Sequence, residues 1–158
     1  MRRAKRESPE DAILEELFAF YRQVDACYEG SHCPSSTECC RFGLTGREPY
    51  VTSVEVAGLR RAISHRGGLP SAKRRALPMV TTAVVERICP FLDTLGRCSV
   101  YESRPLGCRT FYCSRATVTA RTRGAAQREF VNRLRDIASR HEPGGDAPRP
   151  LSRVFAHK

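Results

Sequence analysis

Apolar residues recur at three- and four-residue steps in three stretches of the chain. The first comprises Ile13, Leu14, Leu17, Phe18, Tyr21 and Val24, a spacing that lays one apolar stripe along a helix. Ser8 stands where an N-cap belongs, Pro9 suits the first helical position, and Asp11 sits where a capping acid is expected, so the predicted helix runs from about 9 to 26. A second capping box, Thr52-Ser53-Val54-Glu55, precedes Val56, Leu59 and Ile63. It predicts a helix over 53 to 66 that stops near Gly67-Gly68. In the third stretch, about 122 to 141, Phe130, Val131, Leu134, Ile137 and Ala138 share one face while Arg128, Arg133, Arg135 and Arg140 surround the other. Pro143, Gly144 and Gly145 end that helix.

Between these helices the periodicity is lost. Residues 27 to 50 hold Gly30, Pro34, Ser35, Ser36, Gly43, Gly46 and Pro49 with four cysteines among them, a composition of loops. From 69 to 88, Ser71 to Leu77 fits a short basic helix ended or kinked by Pro78, and β-branched Val80 to Ile88 fits strand or helix, with helix preferred. Cys89-Pro90-Phe91-Leu92 and Cys98-Ser99-Val100-Tyr101 flank Asp93-Thr94-Leu95-Gly96. That pattern predicts a small hairpin, which would bring Cys89 and Cys98 near each other. Residues 142 to 158, with Pro148 and Pro150, read as a mobile tail in which Leu151, Val154 and Phe155 are able to dock. There is no internal repeat.

The length of 158 residues fits one domain. Hydrophobic residues at 41% and charged residues at 28% exclude a wholly disordered chain, and no apolar run approaches the roughly 20 residues of a spanning helix. The basic start, Met1 to Arg6, resembles the n-region of a signal peptide, but Glu7, Glu10, Asp11, Glu15 and Glu16 interrupt any apolar core behind it. The expectation is therefore a cytoplasmic protein with no membrane partner. In that reducing setting eight cysteines point to metal binding or redox chemistry rather than disulfides.

Those cysteines form two groups of four: Cys27, Cys33, Cys39 and Cys40, then Cys89, Cys98, Cys108 and Cys113. Neither group has the C-x2-C knuckles of most structural zinc modules, which disfavours an ordinary finger or ribbon. Iron–sulfur clusters tolerate more varied spacing, because their irons are spread over a larger object. In an extended segment adjacent Cys39 and Cys40 would point in opposite directions and serve one small ion poorly together. The plainer reading of any single cysteine is a small buried hydrophobe. His32, beside Cys33, is a further ligand candidate, although a lone loop histidine is more often a surface residue.

The segment Cys89-Pro-Phe-Leu, followed by Cys98-Ser-Val-Tyr-Glu-Ser-Arg-Pro-Leu-Gly-Cys108-Arg, together with the upstream Cys39-Cys40 pair, resembles the YkgJ-like cysteine-cluster family of zinc- or iron-chelating domains. The resemblance covers roughly residues 27 to 113. It implies metal ligands at Cys27, Cys33, Cys39, Cys40, Cys89, Cys98 and Cys108, with Cys113 as the eighth, around an iron–sulfur cluster of the 4Fe–4S type or zinc. The family's tyrosine, arginine and proline fall on Tyr101, Arg104 and Pro105. The first group is more widely spaced here than in the family, which ranks Cys27 and then Cys33 lowest among the ligands. A flagellin lysine methylase shares the cysteine pattern, but only the metal site is carried over, not methyl transfer.

Local chemistry adds roles around that motif. Pro105 fits the start of a short helix carrying Cys108, whose N-terminus would favour thiolate charge. Arg104 and Arg109 either donate charge-assisted hydrogen bonds behind the ligands or pair with an acid such as Glu102. Tyr101 is read as core packing. The fold class expected is a small α-rich (α+β) single domain over 9 to 141, with about four helices, a short hairpin and irregular cysteine-bearing loops organised around a metal site.

Three functions compete. The first is a cytoplasmic metal-binding protein holding an iron–sulfur cluster or zinc, acting with a protein partner in an unknown reaction. The second is a zinc-stabilised module that binds nucleic acid. The net charge of +10 comes from 27 basic against 17 acidic residues, 24 of them arginine, and Arg121, Arg128, Arg135 and the basic start would meet the phosphates. Against it, the arginines lack interleaved aromatics, and they equally suit solvated helix faces. The third is a thiol-dependent enzyme using Cys40 or Cys113. It lacks a companion base, because His32, His65, His141 and His157 are scattered. The ranking follows that order, and no catalytic motif is recognisable.

Overall fold

The computed structural model describes residues 8–32, 37–69, 87–111 and 125–155. The segments expected as helices at 71–77 and 80–86, together with Cys33, Cys113, Arg121 and His157, lie outside the described residues.

Helix α1 spans Pro9–Cys27. Its start is closed by the predicted box: the Asp11 amide donates to Ser8 Oγ at 3.1 Å and the Ser8 amide returns a bond to Asp11 Oδ2 at 3.2 Å, satisfying amides that have no partner inside the helix. Leu14, Leu17, Phe20, Tyr21 and Val24 are buried. Helix α2 is a single turn, Phe42–Thr45, and α3 spans Ser53–His65. Helix α4, Leu106–Arg109, is again one turn, α5 spans Ala125–His141, and α6 is Leu151–Val154. Strand β1, Tyr50–Val51, pairs antiparallel with β2, Arg149–Pro150, with Val51 opposite Arg149. The described residues thus carry six helices where about four were expected: the single turn after Pro105 is the short helix expected there, whereas the single turns α2 and α6 escape a periodicity that needs ten or more residues to show.

Helices α1, α3 and α5 pack on one another. Leu14, Leu17, Phe20, Tyr21 and Val24 of α1 meet Val54 of α3, Leu106 of α4, and Leu134, Ile137 and Ala138 of α5. Gly58 lets α1 and α3 approach, since a Cβ there would stand 3.3 Å from Leu17 Cδ2. The opposite face of α3, through Val56 and Leu59, closes a second cluster with Phe42, Val51, Cys89, Phe91, Val100, Leu151 and Phe155. Helix α3 is therefore a wall between two cores, and the second core underlies the cysteine-bearing segments.

Two expectations change. Residues 142 to 155 are not a free tail: Leu151 is fully buried and Phe155 stacks edge-on against Phe91 at 5.0 Å between ring centroids. The β1–β2 pair and the bond from the Leu151 amide to the Pro49 carbonyl at 3.0 Å hold this end. Second, Arg87 and Ile88 are not helical: Ile88 bridges antiparallel to Arg41, and Arg87 lies outside any helix or strand. No helix among the described residues is long and apolar enough to cross a membrane.

Candidate metal centre

Three stretches of backbone carry the described thiols of the motif. Cys39 and Cys40 lie in a 3-10 turn, Glu38–Cys40. Its Cys40 carbonyl accepts from the Cys89 amide at 2.7 Å and the Gly43 amide donates to the Arg87 carbonyl at 3.1 Å, so residues 40–43 and 87–89 are joined by backbone hydrogen bonds. The predicted hairpin follows. Leu92 and Cys98 pair as an antiparallel bridge, the Ser99 amide donates to the Phe91 carbonyl at 2.8 Å, and Gly96 turns the chain with φ +71°. Asp93 stiffens that turn by accepting from the amides of Leu95 at 2.9 Å and Arg97 at 2.8 Å. Beyond it a second 3-10 turn, Tyr101–Ser103, leads through Pro105 into α4 and Cys108.

The adjacent cysteines depart from the extended geometry expected of them. Their sulfurs are 4.0 Å apart, because a 3-10 turn advances about 120° per residue where a strand alternates by 180°. Two ligands of a tetrahedral ion with bonds of about 2.3 Å are separated by about 3.8 Å, so the pair is spaced like one edge of such a site.

The thiols also act on one another. Cys39 is pushed up first by its hydrogen bond to Cys40 and then by burial, while Arg104 opposes the shift. Contact with Cys39 pulls Cys40 down, but the bond to Cys89, burial, and the charges of Cys89 and Cys98 push it up to about 12. Cys98 is raised chiefly by burial and further by Cys39, with Arg104 again opposing. Cys108 is raised by the protein packed behind it and then by Cys40, Cys98 and Cys39, even though the residue keeps an exposed side. Thiols that resist one another's ionisation are relieved by a shared cation. As they stand, no three His, Cys, Asp or Glu side chains among the described residues converge on the position of a single ion. Cys27 ends α1 as an exposed residue.

Arg104 and Arg109 divide the work expected of them. Arg109 is 4% exposed and its guanidinium is fully engaged, donating to Asp25, to the Glu102 carbonyl and, from Nε at 2.9 Å, to the Arg104 carbonyl. It lies over the Tyr21 ring at 4.1 Å. Arg104 reaches Asp25 at 3.6 Å, stacks on the Tyr101 ring at 4.0 Å, and is the arginine whose charge favours ionisation of both Cys39 and Cys98. Tyr101 is not core: it is 55% exposed, because its ring covers Arg104 from the solvent side instead of entering either cluster. Nor does the N-terminus of α4 address the thiols. Pro105 is its cap, and the first amide, that of Leu106, donates to the buried carboxylate of Glu55 at 2.8 Å.

Asp25 and Glu55 are the residues that sequence reading missed. Glu55 was legible as the acid of a capping box, yet nothing in its spacing announces a partner in α4. Asp25 carries no motif at all.

The remaining candidates lie elsewhere. His32 and His65 are exposed, and His141 Nδ1 stands 3.0 Å from Ser53 Oγ. Glu16 accepts from both terminal nitrogens of Arg140 at 2.8 Å and from Arg133 at 3.2 Å, and Arg135 pairs with Asp146 at 3.2 Å. Several arginines of α5 are thus held by acids on the surface.

No curated protein and no solved structure matches the chain at a significant level. A family model, CxxCxxCC, described as "Putative zinc- or iron-chelating domain", matches residues 27–133. This span opens on Cys27 and takes in every cysteine of the chain. With well over half of its length covered, the chain belongs to the CxxCxxCC cysteine-cluster family.

Proposed function

We propose that the protein binds a metal in a reducing, cytoplasmic setting, as an iron–sulfur cluster or as zinc, through Cys39, Cys40, Cys89, Cys98 and Cys108. Cys33, Cys113 and, least, Cys27 complete the set. The observation that carries this reading is the 4.0 Å approach of Cys39 and Cys40 beside a backbone bond to Cys89. The donor chemistry fits, since thiolates are the ligands of both zinc and iron–sulfur centres. Six thiols are described, more than the four that one structural zinc or one iron–sulfur cluster takes, which leaves room for a second site or a spare thiol.

When bound, a cluster supplies one-electron transfer and zinc supplies a cross-link. The chain's own residues do the rest. Arg104 offsets the negative charge of the thiolates, Tyr101 screens Arg104 from water, and Asp25 holds both Arg104 and Arg109. Cys40, kept neutral well above pH 7, is a poor free nucleophile, which weakens the thiol-enzyme reading. Of the arginines expected to meet phosphates, Arg135 is paired with Asp146, which weakens the nucleic-acid reading. The partner proposed is another protein.

Purification without oxygen, followed by elemental analysis and an absorption spectrum, tests this. Iron and sulfide with broad visible charge-transfer bands identify a cluster, and zinc in a colourless protein identifies a structural ion. A protein free of both metals after such handling overturns the proposal.

A further inference from the structure

Glu55 is 1% exposed, and both of its oxygens are saturated. Oε2 accepts from the Thr52 amide at 2.8 Å and the Thr52 hydroxyl at 3.0 Å. Oε1 accepts from the Tyr21 hydroxyl at 3.1 Å and the Leu106 amide at 2.8 Å. One carboxylate therefore joins α1, α3 and the first residue of the turn that carries Cys108.

Capping alone does not explain it. The equivalent box of α1 is closed by Asp11, whose side chain is 41% exposed, so a local cap in this protein needs neither the longer side chain nor burial. Burying a carboxylate is costly unless hydrogen bonds compensate, and half of the compensation here comes from two other elements. Helix α4 needs such an anchor. At four residues it is too short to hold itself by internal bonds, and the bonds of its Cys108 and Arg109 amides return only to Pro105 at 2.9 and 3.1 Å. Beyond the packing of its Leu106 side chain in the first core, its polar ties to the rest of the fold are the Arg109 guanidinium at one end and Glu55 at the other.

We infer that Glu55 is a positioning residue for the metal centre: its carboxylate fixes the Cys108 turn against the helical core, and the metal affinity of the cluster depends on that tie. The inference rests on the metal-binding reading above. Glu55→Asp separates the two roles, because Asp closes the local box as Asp11 does but is one methylene short of Leu106 and Tyr21. Thr52→Ala makes the opposite cut, weakening the cap while leaving the tie.

The measurement is Co2+ binding to the reduced full chain without oxygen, read from the thiolate-to-cobalt charge-transfer band, with thermal stability measured alongside. Glu55→Asp is expected to weaken Co2+ affinity by about tenfold or more, the usual size of a lost partner behind a ligand. Thr52→Ala is expected to keep wild-type affinity despite lower stability. Wild-type affinity in a folded Glu55→Asp protein, or an equal loss in Thr52→Ala, overturns the inference. If Glu55→Asp does not fold, amide exchange in the wild type decides instead: Leu106 should exchange more slowly with Co2+ bound, and identical exchange overturns the idea. Failure of the metal-binding reading looks different, since the wild type itself would then form no cobalt–thiolate band, and both proposals would fall.

Discussion

Cys39 and Cys40 show how one backbone turn decides ligand chemistry. In a strand their sulfurs would diverge, but in the 3-10 turn they lie 4.0 Å apart, so unequal roles no longer follow from direction. Replacing either by Ser is expected to remove most of the metal. Cys98→Ser and Cys108→Ser should abolish stable binding, since both thiols lie within charge reach of Cys39, and Cys108 within reach of Cys40 as well. Cys27→Ser should retain the most, because Cys27 is an exposed helix end at the stretched edge of the motif. The readout is metal per protein for each variant purified without oxygen. An empty Cys27→Ser protein beside a fully loaded Cys108→Ser protein would show the ligand assignment to be wrong.

At the scale of elements, the loop after α5 is as tightly placed as the helices. The Gly145 carbonyl accepts from the Ser53 amide at 2.9 Å, which docks the end of α5 on the start of α3. A Cβ at Gly145 would stand 2.6 Å from the Ala138 carbonyl and 2.2 Å from Ser53 Oγ. The hydroxyl is able to rotate away, but the carbonyl belongs to the helix and is not. Gly145→Ala should therefore destabilise the protein by about 1 to 3 kcal/mol, the range of an overpacked site. A urea midpoint unchanged from wild type would show that the loop gives way instead. Gly144, in contrast, needs its glycine for a backbone φ of +71° rather than for space.

For the whole molecule, the raised thiols tie stability to pH. Cys39, Cys40, Cys98 and Cys108 all hold their protons above the ordinary thiol value of 9.0, Cys40 up to about 12. From pH 9 upward the unfolded chain releases those protons while the fold retains them, so the unfolded state binds fewer and stability falls as pH rises. The contribution is complete below pH 9 and is lost progressively toward about 12. Metal-free, reduced protein should show urea midpoints that decline from pH 9 to 10.5, and loading with metal should flatten that decline, because bound thiolates have already lost their protons. A midpoint that rises with pH in the metal-free protein would contradict the raised thiols.

The sequence by itself determined what depends on neighbours within a few residues. The boxes at Ser8 and Thr52 and the apolar steps behind them place α1, α3 and α5 within a few residues of their observed ends, because capping and amphipathic spacing are interactions of residues three and four apart. The turn between Cys89 and Cys98 and the cysteine motif that marks the family were legible for the same reason. Tertiary structure decided the rest. The single turns α2 and α6 and the two-residue pair of β1 and β2 form only because distant segments supply their partners. The apolar Leu151 and Phe155 marked themselves as able to dock, but where they dock depends on the surface that Phe91 and α3 build. Asp25 binding Arg104 and Arg109, Glu55 holding Leu106, and Tyr101 lying outside both cores are likewise contacts between residues far apart in the chain. Local periodicity records which face of a helix is apolar, but which thiols meet is set by the second core, built on the far face of α3, that packs beneath them.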